Sequence, residues 1–156
     1  MLGLLAPFLM LASGAEVPAQ KPELCTLSGC VSGVYFPVSG LPRQLPTGIY
    51  SAEAVVGGRE VACEVEINPD RSLPAVCHSV SGAPWVELSL EGEERYIAVR
   101  GSAPRHVRVA LRVDGRMLAG MLVEPSEYKV FEPNGRLCGP TCLGAGPYKL
   151  QVAPWQ

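Results

Sequence analysis

Gly48 to Ile67 reads GIYSAEAVVGGREVACEVEI, and this stretch decides the fold class. Apolar and polar residues alternate on both sides of Gly57-Gly58, the pattern of two half-buried strands joined by a two-residue turn that needs positive φ at both positions. Such a turn pairs Val56 with Arg59, so Ala54 faces Val61, Ala52 faces Cys63 and Tyr50 faces Val65. The opposite face carries Ser51, Glu53, Glu60, Glu64 and Glu66. One face is apolar and the other acidic, so turn chemistry and pattern agree on one register.

Two more hairpins follow. Trp85 to Leu90 and Arg95 to Arg100 flank Glu91-Gly92-Glu93-Glu94, with Val86 opposite Val99, Leu88 opposite Ile97, Trp85 opposite Arg100, and Glu87, Ser89 and Tyr96 outward. Arg105 to Val113 and Arg116 to Glu124 flank Asp114-Gly115, a strong type I′ turn signal. Regular alternation there pairs Leu111 with Leu118, Val109 with Gly120 and Val107 with Leu122. The outward face of this hairpin is mixed, with Arg108 and Arg112 beside Met117, Met121 and Val123, so it is either covered or a contact surface. Val31 to Phe36, Ala75 to Val80, Tyr128 to Phe131 and Tyr148 to Val152 are shorter strand candidates. Gly (17) and Pro (15) recur too often for long helices, because each Gly costs a helix interior about 1 kcal/mol and each Pro about 3. Roughly seven to nine short strands predict an all-β, disulfide-stapled β-sandwich of immunoglobulin-like character, with a small β-barrel as the alternative.

The amino-terminal residues point to export. Leu2 to Ala12 are nearly all apolar, a length that suits a signal-peptide core and is too short for a membrane span. Residues 1–19 read as a signal peptide cleaved after Ala15 or Ala19, although no Lys or Arg precedes Leu2. Cys25 follows Pro22-Glu23-Leu24, which is not a lipoprotein cleavage step. Residues 20–46 read as an N-terminal flap ending in a Pro- and Gly-rich linker, Pro37 to Pro46, and residues 47–156 as the sandwich domain. A periplasmic or secreted location follows, and Arg (10) over Lys (3) with abundant Ala, Val, Gly and Pro suits a GC-rich bacterial genome.

Six cysteines fall into three close pairs. An even, locally spaced set behind an export signal reads as a disulfide framework in an oxidising compartment. Proximity predicts Cys25–Cys30, Cys63–Cys77 and Cys138–Cys142. The loop closed by Cys63–Cys77 is worth about 3 kcal/mol in a loop-entropy account and each smaller ring about 2.

Composition and motifs narrow the function. The net charge of −2 has no basic block, which gives nucleic-acid binding no electrostatic support, and no second apolar run is long enough to span a bilayer. The cysteine spacings do not match zinc knuckles. Asp70 and Asp114 both sit in turn contexts, and Cys77 and His78, adjacent on a strand, point to opposite faces. Glu64 and Glu66 read as an acidic solvated face, and Trp85, Tyr96 and Trp155 as packing residues before a sugar platform. No nucleophile elbow, phosphate loop or zinc-protease motif occurs. The chain therefore reads as a non-catalytic binding or structural module with no cofactor and no metal, whose partner is another envelope or extracellular protein.

The most distinctive text is Phe131 to Cys142, FEPNGRLCGPTC. Its turn formers and close cysteines predict a stiff loop, with Asn134, Arg136, Pro140 and Thr141 as candidate recognition residues, since a rigid loop loses little entropy on binding. Two alternatives use the same loop: a protease-inhibitor-like blocker with Arg136 near the loop entry, and an extracytoplasmic copper or redox protein using Cys138 and Cys142.

Overall fold

The alternation around Gly57-Gly58 builds one of two facing sheets. A computed structural model describes residues 29–70, 74–79, 82–135 and 139–154, and no helix occurs among them. The strands are β1 (Gly33–Ser39), β2 (Gly48–Val56), β3 (Arg59–Ile67), β4 (Val76–His78), β5 (Trp85–Ser89), β6 (Tyr96–Arg100), β7 (Val107–Val113), β8 (Arg116–Val123), β9 (Lys129–Phe131), β10 (Cys142–Ala145) and β11 (Leu150–Gln151). The larger sheet runs β4-β5-β6-β1-β10-β9 with β11 also on β1, and the smaller runs β3-β2-β7-β8. The protein is a β-sandwich, not a closed barrel.

The first two hairpins have the register their patterns demand. Val56 pairs with Arg59, Ala54 with Val61, Ala52 with Cys63 and Tyr50 with Val65. Trp85 pairs with Arg100, Val86 with Val99 and Leu88 with Ile97. Gly57 and Gly58 have φ of 59° and 81°, and Asp114 and Gly115 have 48° and 77°, so both tight turns use the left-handed region that their residue types tolerate. The Asp114 carboxylate also accepts a 2.9 Å hydrogen bond from the Ile49 amide.

The third hairpin departs from its expected register. A bulge beyond Leu111 leaves Leu118 as the extra residue of β8, so Leu111 pairs with Ala119, Val109 with Met121 and Val107 with Val123. Regular alternation would have aimed Gly120 at the core beside Val109, leaving a void. The bulge puts Met121 there and buries Ala119 and Val123, and a bulge is the ordinary way a strand re-aims its side chains.

Between the sheets lies one core. Phe36, Tyr50, Leu88, Ile97, Leu111 and Leu150 are all buried within it, and each full burial of a large apolar side chain is worth about 1.5–3 kcal/mol. The Tyr50 hydroxyl is satisfied by donating to the Pro46 carbonyl at 3.1 Å.

One expectation about the chain's first part is corrected. Residues 33–39 are not in a flap: β1 lies inside the larger sheet, antiparallel to β6 and parallel to β10 and β11. Residues 40–46 carry no strand and connect β1 to β2, and Arg95 holds this connection by donating to the Pro42 and Arg43 carbonyls at 2.6 and 2.7 Å. Hydrophobic alternation in Gly33 to Ser39 outweighs the turn-forming content of the residues after it. Residues 1–28, which include the expected signal peptide and Cys25, lie outside the described residues.

The cysteine pairing is also partly different. Cys63–Cys77 forms, joining β3 on one sheet to β4 on the other. Cys30 pairs with Cys142, so neither Cys25–Cys30 nor Cys138–Cys142 exists. The reason is the parallel pairing of β1 and β10, Gly33 with Gly144, which brings the two strand entrances together with Cα atoms 6.0 Å apart. Cys138 lies outside the described residues.

The two bridges close loops of very different length, 112 and 14 residues in separation. Loop entropy assigns the longer about 4–5 kcal/mol and the shorter about 3. Replacing Cys30 and Cys142 together by Ala should therefore lower the urea-unfolding free energy more than replacing Cys63 and Cys77. The opposite ranking in equilibrium unfolding would show that the parallel seam does not depend on its bridge.

Candidate interaction surfaces

Short strands with long polar connections leave three surface regions with organised side chains. The first is the β9–β10 connection, where the recognition loop was expected. Phe131 pairs with Cys142 and Lys129 with Gly144, so the loop spans the two antiparallel strands. Asn134 is half-buried and donates from Nδ2 to the Gly139 carbonyl at 2.7 Å, while Pro140 and Thr141 are exposed and Arg136 lies outside the described residues. The loop is not a small disulfide ring. Its exit is tied instead to the segment entering β1, with the Cys30 sulfur 3.6 Å from the Pro140 carbonyl.

The second region is the outer face of the smaller sheet. Adjacent-strand pairing places Ala62, Glu53, Ala110 and Gly120 in one row, with Glu60, Val55, Arg108 and Leu122 in the next. Small residues in the first row leave a concavity of about 620 Å³, within the range of natural ligand and peptide sites. Arg112 closes one side, paired to Glu53 at 2.9 Å. Arg108 is exposed and has no ion pair among the described residues.

The two edges of that sheet differ. β3 carries Glu60, Glu64 and Glu66, the charges that keep an unpaired edge from recruiting another strand. β8 carries no charge from Met117 to Val123, and Leu122 and Met117 are 64% and 50% exposed. The sequence hinted at this through the mixed outward face of the third hairpin, but assigned Met121 and Val123 to it. The bulge turns those two inward and leaves Leu122 and Gly120 outside.

The third region is the outer face of the larger sheet. Glu87 is its hub: its Oε1 accepts from the Tyr96 hydroxyl at 2.6 Å and its Oε2 sits 3.4 Å from Arg100 Nε. Tyr35 packs on Tyr96 with ring centroids 5.1 Å apart, and the exposed His78 meets the Trp85 ring edge-on. Trp85, Tyr96 and Arg100 thus share a face, as the strand pattern implied, but Tyr35 joins them only through β1–β6 pairing. Trp155 lies outside the described residues.

Chemistry elsewhere is sparse. Cys77 is consumed by its disulfide, and His106 pairs with Glu124 at 3.4 Å on the surface. No group of three or more His, Cys, Asp or Glu side chains stands ready for a metal ion among the described residues. No helix among them is long and apolar enough to cross a membrane. No family model, curated protein or solved structure matches the chain.

The Tyr96–Glu87 bond has a pH signature. The hydrogen bond to Glu87, then burial, then the Glu87 charge push the Tyr96 pKa up to about 12. The folded state thus keeps a proton that an unfolded tyrosine loses near pH 10, so the stabilisation is complete below about pH 10 and lost as pH rises through about 12. Tyr96→Phe should cost about 1 kcal/mol at neutral pH, and its stability gap to the parent chain should close across that alkaline window in urea unfolding. A pH-independent gap would mean that the hydroxyl is not held by Glu87.

Proposed function

We propose that this protein is an exported, non-catalytic binding module whose partner is another envelope or extracellular protein, engaged along the β8 edge of the smaller sheet. The observation that carries this reading is the contrast between an acid-guarded β3 edge and a β8 edge without charge from Met117 to Val123, where Met117 and Leu122 are exposed. An open, apolar edge is a template for strand addition, in which main-chain hydrogen bonds supply affinity and alternate side chains specificity. The occupant is an extended apolar segment bearing a carboxylate. Its apolar side chains fit the concavity beside Gly120, and its acid complements Arg108. Export is supported by the two disulfides, which persist in oxidising compartments, and by the apolar leader-like sequence of Leu2 to Ala12. The inhibitor and copper or redox alternatives lose the small Cys138–Cys142 ring that motivated them, since Cys142 bonds to Cys30.

A photo-crosslinking residue at position 122 should capture a discrete protein adduct in the producing cell, whereas the same residue at position 64 should capture none. Leu122→Lys, placing a charge on the open edge as β3 already does, should remove binding of the captured partner while changing stability by less than about 0.5 kcal/mol. Equal capture at both positions, or none at 122, would overturn the docking assignment. An intact mass showing an uncleaved chain with reduced thiols would overturn export.

A further inference from the structure

On the outer face of the larger sheet, strand pairing sets five residues in one row: Trp85, Arg100, Gly33, Gly144 and Lys129, on β5, β6, β1, β10 and β9. Adjacent strands lie about 4.8 Å apart, so Arg100 and Lys129 stand roughly 14 Å apart at their Cα atoms, with two bare glycines between them. The gap is a groove of about 220 Å³ walled by Tyr35, Phe131, Val31 and Pro147, and no carboxylate lines it.

The two glycines have different reasons. A Cβ on Gly33 would sit 2.3 Å from the Val99 carbonyl oxygen, so packing requires glycine there. A Cβ on Gly144 would meet nothing within 4 Å, and Gly144 is not among the residues with positive φ. Neither packing nor conformation asks for glycine at 144, and strand-interior glycine weakens a sheet. Its effect is to keep the groove floor open.

The lining selects a ligand. Arg100 turns Nε toward Glu87, which leaves its other guanidinium N–H groups for an acceptor. Lys129 is exposed and has no partner among the described residues. Two cations line the groove, Glu87 engages only the Nε side of Arg100, and no carboxylate is in the lining, so the groove favours an anion. Tyr35 and the 63% exposed Phe131 add aromatic side chains to the lining. The volume equals about seven waters, room for one substituted ring and less than a drug-sized ligand fills. We propose that this groove binds a carboxylate carried on a six-membered ring, held by Arg100 and Lys129 over Gly33 and Gly144. The site is independent of the β8 edge, which belongs to the other sheet.

An acidic sugar and an aromatic acid share this chemistry, and one experiment separates them. The disulfide-bonded protein, labelled with ¹⁵N, is titrated with glucuronate, with benzoate and with glucose as the neutral ring. The Gly33 and Gly144 amides and Arg100 Nε should shift with at least one acid and not with glucose. A response to glucuronate alone identifies an acidic sugar, to benzoate alone an aromatic acid, and to both a site that reads only the ring and its charge. Gly144→Val should keep a folded spectrum and abolish the shifts. Lys129→Gln, at an exposed position, should weaken binding about fivefold and decides the matter should the valine variant fail to fold. No shift at the groove with either acid at tens of millimolar, an equal response to glucose, or undiminished binding by a folded Gly144→Val or by Lys129→Gln would overturn the assignment.

Discussion

Everything in the larger sheet depends on the seating of β1. It pairs with β6 on one side and, in parallel, with β10 and β11 on the other. Without it β4-β5-β6 and β9-β10 would be separate pieces. Parallel pairing between the two ends of a chain is entropically expensive, because a long loop must close before any contact forms. Cys30–Cys142 is placed at that seam and removes much of the closure entropy from the unfolded chain. The second bridge does different work, joining edge strands of opposite sheets across one side of the core.

The same pairing sets the chemistry of the outer surface. Tyr35 reaches Tyr96, and Gly33 and Gly144 become neighbours of Arg100 and Lys129, only because β1 is in register with both β6 and β10. On the far side, the smaller sheet is almost wholly local in origin, two hairpins joined by β2–β7 pairing. Its exposed face is therefore set by hairpin register, and a single bulge decides that Leu122 and Gly120 rather than Met121 and Val123 meet solvent. The sandwich carries an amphipathic strand edge on one sheet and an aromatic, cationic groove on the other. These are separate surfaces with separate chemistries.

Legibility follows the range of the interactions. The first two hairpins could be read residue by residue, because a two-residue turn or strict alternation admits one register. The third could not. Met117 to Val123 is apolar on both faces, so alternation alone does not choose between Gly120 and Met121 as the residue beside Val109, and packing chooses. The cysteines mislead for a related reason. Sequence proximity is a fair guide where an intervening turn brings the two ends back, as between Cys63 and Cys77. It fails where each partner stands at the mouth of a different strand. The recognition residues Asn134, Pro140 and Thr141 were recognisable as loop residues from their turn chemistry, but nothing local reveals that Cys142 leaves the loop toward Cys30. Gly144 carried a faint signal, a glycine inside a strand without a turn to explain it.

By itself, then, the sequence determined the all-β class, the tight turns at Gly57-Gly58 and Asp114-Gly115, the registers of two hairpins, the acidic outer face of β3 and the Cys63–Cys77 bridge. Each depends on residues close in the chain, where side-chain period and backbone preference leave little choice. The tertiary structure alone decided the central place of β1, the Cys30–Cys142 bridge, the bulge in β8 and the row from Arg100 to Lys129. Those are pairings between strands far apart in sequence, selected by how well two whole faces fill the space between them, and no local pattern records that competition.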